Sequence, residues 1–262
     1  MKVFRIVLAA TALPFASFAD APPGAPASPP HPVDTANVER QRDQAEKNYR
    51  RGVQFAEGVP KDYSAAARFY RLAAEAGYAP AQYELAYLYE NGLGVERNPK
   101  QAAIWFRKAA EQGDAEAQNN LGTLYAKGQG VPRDDAEAVH WYRLAAEQND
   151  PEATSNLAMM YLQGRAVKPD LMQAFQLLQR AAEQGYAAAQ NNLALMYANG
   201  QAVARDYVWA YAWLDIASDR LSGSVEIRDR VAKEMTTDDI ARAQALAGMK
   251  REQISQLSKE PK

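Results

Sequence analysis

The chain has 262 residues, a formal charge of −2 and no cysteine. The missing thiol excludes a disulfide framework, a cysteine nucleophile, a cysteine-based metal site and a lipid-modified N-terminal cysteine. The near-neutral charge offers no basic stripe for nucleic acid. Hydrophobic residues make up 47%, but Ala and Tyr supply much of that share, which suits closely approaching helices better than one thick core.

At the N-terminus, Lys2 and Arg5 form a short positive region, and an apolar stretch runs from Ile6 to about Phe15. Ser17-Phe18-Ala19 then places small residues at −3 and −1 of a cleavage site. This pattern predicts a signal peptide over residues 1–19, cut after Ala19, and export to the periplasm or beyond the cell. The apolar stretch is too short to span a bilayer, which takes about 20 residues. No later stretch is apolar enough, so no integral membrane span is expected. Residues 20–33 hold six of the fourteen prolines and little to bury, which predicts a Pro-rich disordered linker. His31 lies there alone and is not a metal site.

From about residue 45 a 36-residue period takes over. Phe69, Trp105, Trp141, Leu177 and Trp213 keep this step, as do Ala66, Ala102, Ala138, Ala174 and Ala210. Leu85, Leu121, Leu157 and Leu193 repeat with it, and so do Tyr89, Tyr125, Tyr161 and Tyr197. Each unit reads as two helices. In the unit from Gly113, Asp114 caps a first helix whose inward stripe is Ala117, Leu121, Leu124 and Tyr125. Gly128 stops it in a left-handed turn, and Asp134 caps a second helix carrying Ala138, Trp141, Tyr142 and Ala145.

Five units are expected within residues 34–221, over 41–76, 77–112, 113–148, 149–184 and 185–221. None can bury enough apolar area alone, so neighbours must stack. The first is degenerate, with Tyr49, Val53 and Ala56 where later units have Leu, Tyr and Gly, and is expected to cap the N-terminal end. C-terminal capping helices are predicted over 222–251, the second opened by Thr236 and Asp239, with a flexible tail over 252–262. The fold class is all-α, an α-solenoid of antiparallel helix pairs.

The run WFRKAAEQGDAEAQNNLGTLYAKGQGVPRDDAEA (105–138), with similar runs at 69–95 and 177–203, resembles the Sel1-like repeat, a relative of the tetratricopeptide repeat. The resemblance implies a right-handed superhelix and a role in protein–protein interaction and complex assembly. It also implies that the first helix of each unit, the one carrying Leu121, Gly122 and Tyr125, lines the concave face. Cysteine-rich secreted members of the family carry one disulfide per repeat, and this chain has no counterpart to them.

An enzyme needs convergent groups, and the folded region holds a single histidine, His140, beside Trp141. Glu75, Glu111, Glu147 and Glu183 recur once per unit, on the order of 10 Å apart, wider than the roughly 5–9.5 Å of glycosidase carboxylate pairs. They are expected to accept bonds from the next helix's free N–H groups. No phosphate loop or dinucleotide fingerprint is present, and no cofactor or metal is expected.

A binding surface needs exposed, non-repeating side chains. Counting from the buried stripe, the outward positions on the first helices are Pro80, Tyr83 and Tyr87; Glu116, Asn119 and Thr123; Glu152, Ser155 and Met159; Ala188, Asn191 and Leu195. Tyr83, Tyr87, Asn119, Thr123, Ser155, Met159, Asn191 and Leu195 are the candidate contacts for a protein or peptide partner. Gln176 and Arg180, on the opposite surface, are expected to be inert. The reading is thus an exported, non-catalytic scaffold; an envelope hydrolase of peptidoglycan or β-lactams, or a purely structural spacer, are the alternatives.

Overall fold

The computed structural model describes residues 35–257. The predicted signal peptide, the Pro-rich linker with His31, and residues 258–262 lie outside the described residues. Twelve helices follow one another, with no strand among the described residues. They are α1 (Thr35–Glu57), α2 (Tyr63–Glu75), α3 (Ala79–Asn91), α4 (Pro99–Glu111), α5 (Ala115–Lys127) and α6 (Asp135–Glu147), then α7 (Pro151–Gln163), α8 (Leu171–Glu183), α9 (Ala187–Asn199), α10 (Tyr207–Ser218), α11 (Gly223–Ala232) and α12 (Thr237–Leu257). Each of α1 to α10 packs against its successor, and α12 returns to lie on α10. Short links between packed neighbours make them antiparallel. The result is an α-solenoid.

Local chemistry sets the helix ends. Asp62, Asn98, Asp134, Asp170 and Asp206 each accept a backbone N–H from the first turn of a second helix. Asp114 and Asp150 do the same for α5 and α7 at 2.8 and 2.7 Å. The recurring glutamates do not share this task. Glu75, Glu111 and Glu147 are exposed, while Glu183 meets Lys250 of α12. After Glu111 and Glu147 the N–H groups they were expected to satisfy already belong to Asp114 and Asp150. At Tyr78 and Tyr186 the first helix has no side-chain cap.

Small residues fix the spacing between helices. Ala66, Ala102, Ala138, Ala174 and Ala210 are fully buried, as are Ala73, Ala109, Ala145 and Ala181. Trp105, Trp141, Leu177 and Trp213 are buried too, while Phe69 is partly open. A size match governs the contact within each pair. At Gly122 a Cβ would stand 2.9 Å from the Tyr142 ring, and at Gly52 a Cβ would stand 2.5 Å from Tyr70. Where the facing residue is Phe106, Leu178 or Leu214, the equivalent position is Ala86, Ala158 or Ala194. Tyrosine takes glycine; the smaller rings and chains take alanine.

This rule corrects the register of the first unit. Tyr49 lies 5.8 Å from Tyr70, as Tyr83 lies 5.7 Å from Phe106, and Phe55 stacks on Phe69 at 5.5 Å. Tyr49, Gly52 and Phe55 therefore match Tyr83, Ala86 and Tyr89, a step of 34 residues rather than 36. The link between α1 and α2 covers 58–62, whereas 92–98 joins α3 to α4. Two loop residues are missing, and the helix has shifted by two to keep its tyrosine and glycine in contact. The equivalences expected for Val53 and Ala56 do not hold.

At the other end, Thr236 and Asp239 form the expected reciprocal cap. Arg251 bonds Asp215 and Asp219 and the Asp215 carbonyl, holding α12 on α10. The helix runs on to Leu257, past the residue 252 at which a tail was expected.

Candidate functional site

Two inter-unit networks order the surface built from α3, α5, α7 and α9. The first is buried. Gln82, Gln118 and Gln190 donate to Ala74, Ala110 and Ala182 carbonyls at the end of the preceding second helix, at 3.0–3.1 Å. Gln112 and Gln148 donate in turn to Gln82 and Gln118 of their own units. Gln82, Gln118 and Gln190 thus give a second bond to helix-end carbonyls that also accept the Gly77, Gly113 and Gly185 N–H groups. Thr154 occupies the fourth place, and there Arg180 takes over, reaching both the Ala146 carbonyl and the Thr154 hydroxyl at 3.1 Å. Arg180 is therefore a tie between units, not an inert surface residue. The recurrence of Ala-Gln at 81–82, 117–118 and 189–190 was the available sequence signal, a polar residue beside a buried alanine.

The second network is part-buried. Asn156 donates to Asn119 at 2.9 Å, Asn192 meets the Met159 sulfur at 3.6 Å, and Ser224 of α11 donates to Asn191 at 3.0 Å. Thr123 and Tyr142 share a bond at 3.1 Å. These contacts displace part of the predicted surface. Asn119 and Ser155, expected to be exposed, are buried at 3% and 4%. Tyr83 and Asn191 are partly buried, Tyr83 against Phe106 and Asn191 under α11. Tyr87 is 42% exposed, while Thr123, Met159 and Leu195 are partly accessible.

The reason is the neighbour. A stripe read from one helix marks only the face against its own partner helix, but each first helix is also flanked by the next unit's first helix. Asn156 of α7 reaches Asn119 in this way. The column one residue later, Glu84, Asn120, Asn156 and Asn192, stays partly open in every unit.

Charge gathers at the N-terminal half of this surface. Burial raises the Glu84 carboxyl above its ordinary range, and Glu116, Glu57 and Asp114 raise it further. Burial and the Glu116 charge likewise push the Tyr83 phenol up; its hydroxyl bonds Glu116 and stands by Asn120. A carboxyl raised in the folded state stabilises the fold when protonated and loses that contribution as pH rises through its folded value. At neutral pH, ionised Glu84 is therefore a cost. Glu84→Gln, which adopts the carboxamide of the later units, is expected to raise the melting temperature at pH 7. The gain should close as pH falls below about 4, where Glu84 itself is protonated; an unchanged gain across that range would contradict the assignment.

His140 is exposed and meets the Trp141 ring edge-on at 5.0 Å. Among the described residues, no three His, Cys, Asp or Glu side chains are grouped to hold a metal, and no helix is long and apolar enough to cross a membrane.

The Sel1 repeat model matches residues 48–78, 79–114, 115–150, 151–186 and 187–220. The chain belongs to the Sel1 repeat family. Among solved structures it is similar to c5321, described as a protective antigen present in uropathogenic Escherichia coli strains with this repeat fold. The identity is 35% and the TM-score 0.76, over 87% of this chain and 51% of that one. The chain thus spans about half the length of that relative. A Sel1 repeat protein from Oxalobacter formigenes is 30% identical, with a TM-score of 0.70, over 80% of this chain and 86% of that one. No curated protein matches the chain. The Sel1 repeat fold is typical of protein–protein interaction scaffolds.

Proposed function

We propose that this Sel1 repeat protein is an exported, non-catalytic scaffold whose first helices form a concave surface for an extended protein or peptide segment. One observation carries the reading. The carboxamides of Asn120, Asn156 and Asn192 recur at one place per unit, partly open, beside Tyr87, Thr123, Met159 and Leu195. A row of amides at regular spacing suits a peptide backbone, which repeats donors and acceptors along its length. Tyrosine and methionine beside it add adaptable apolar contact. Export follows from the Lys2–Ala19 pattern.

The test uses protein purified from its native compartment, which should begin at Asp20 and carry its partner with it. Tyr87→Ala, Asn120→Ala and Met159→Ala should each weaken binding of that partner by about 1–2 kcal/mol, more for an anchor. Melting temperatures should change little for Tyr87→Ala, the most exposed of the three. Gln176→Ala and His140→Ala, exposed on second helices, should leave the titration unchanged. Stronger effects from the second-helix pair, or hydrolysis of peptidoglycan or β-lactam that His140→Ala abolishes, would overturn the reading.

A further inference from the structure

α12 closes the array, and the closing element of a repeat protein needs a polar outer face. Its inner side carries Ile240, Ala243, Ala247, Lys250 and Ile254, three or four residues apart, and rests on α10 with Ala243 and Ala247 fully buried. A second seam runs along the opposite side. Asp238, Arg242, Ala245, Met249, Glu252 and Gln256 are spaced four, three, four, three and four, and all are exposed. That is the spacing of a helix that lies lengthwise on another helix.

The middle of this outer seam is not polar. Met249 is 58% exposed between Ala245 and the stretch towards Glu252. Beside it, Gly248 is a glycine inside a helix, which is less stable there than alanine. Gly52 and Gly122 have a reason within the chain, since each makes room for a tyrosine ring. A Cβ on Gly248 would meet nothing within 4 Å. Within the chain, therefore, no ring or backbone needs the room that Gly248 leaves.

The seam is symmetric about residue 247. Laid antiparallel on a copy of itself, it sets Arg242 against Glu252, Ala245 against Met249, and Asp238 against Gln256, each pairing occurring twice. Within one copy Arg242 is bonded to Asp239, and Glu252 accepts from Gln256 at 3.4 Å. We propose that the outer seam of α12 is an isologous interface to a second copy of this chain. Met249 of each copy seats over Ala245 and Gly248 of the other, and Arg242–Glu252 ion pairs flank the centre. A second copy is favoured over an unrelated partner because the opposite charges sit at equal distances from the centre of one seam.

Sedimentation equilibrium on the full chain, across the micromolar range, tests this. The chain should show a concentration-dependent dimer. Met249→Asp should weaken it at least about tenfold. Arg242→Glu and Glu252→Arg should each weaken it, and the double variant should return to within about threefold of the parent, because the pair is re-formed with its signs exchanged. Gly248→Leu should weaken the dimer while holding or raising the melting temperature, an opposition that a purely structural role would not give. A parent that stays monomeric throughout, a dimer that survives Met249→Asp, or a double charge exchange that fails to restore it would each overturn the proposal.

Discussion

Leu121→Ala is expected to destabilise the protein by about 2–5 kcal/mol, the range for truncating a fully buried leucine whose site cannot collapse. Leu121 is 0% exposed and sits among Ala117, Leu124, Ala138 and Tyr142 of its own unit's core. The surrounding alanines have no side-chain freedom with which to fill the void. The effect should not stay local. Gln118, one turn away on the same helix, bonds the Ala110 carbonyl on one side and Gln148 on the other, so loosening α5 loosens two joints. Stability in repeat arrays is a sum over units and their interfaces, and urea melts should therefore show the transition broaden or move as a whole. Lys127→Ala, exposed on the same helix, should stay within about 0.5 kcal/mol. Equal midpoint shifts from the two variants would contradict the assigned helix faces.

Gly130→Ala is the second large effect, and its sign is set by a contrast inside the molecule. Gly130 has φ +73°, and a Cβ there would stand 2.1 Å from the Pro99 carbonyl oxygen. The loop after α5 presses on the first turn of α4, backbone against backbone, and no rotamer can relieve the clash. Left-handed backbone costs an alanine about 1–2 kcal/mol, and forced overpacking adds about 1–3 kcal/mol. A loss of about 2–4 kcal/mol is expected in thermal or urea unfolding. Ala166 and Ala202 occupy the same place in the next two units, also at positive φ, 55° and 68°. Ala166→Gly should therefore be neutral or stabilise by up to about 1 kcal/mol, as it relieves the backbone at some cost in unfolded-chain entropy. Joint three to four has a different tie: Arg165 reaches Asp135 and, at 3.0 Å, the Ala126 carbonyl. The Arg165 and Arg133 guanidinium groups hold the Asp135 carboxyl far below the usual range. If Gly130→Ala were harmless, the close seat of one loop on the preceding helix would be wrong.

The candidate surface was only partly legible in the sequence. Tyr87, Thr123, Met159 and Leu195 are accessible as the helical stripe implied, yet Asn119 and Ser155 are covered. A stripe read along one helix allows that helix a single neighbour. In a solenoid it has several, and which flank the next unit covers depends on how successive units rotate against each other. No single unit's sequence states that rotation. Arg180 shows the same limit from the other side. It makes the carbonyl contact that a buried glutamine makes in other units, but nothing local to LLQRAAE says that its guanidinium reaches back across a unit boundary to Ala146.

What the sequence determined by itself is periodic and local. Identical apolar positions every 36 residues require stacked helix pairs, because one pair buries too little to fold; Asp and Asn at fixed places start the helices, and Gly92, Gly128, Gly164 and Gly200 end them in left-handed turns. These follow from backbone hydrogen bonding and side-chain shape within a dozen residues. The tertiary structure alone decided what depends on distance between units: the two-residue slip of α1, the pairing of glycine with tyrosine and alanine with smaller partners, and the burial of Asn119. It also left the outer seam of α12 bare. Each of these is fixed by how closely two helices approach, and that separation is a property of the packed pair, set by the smaller side chain at each contact.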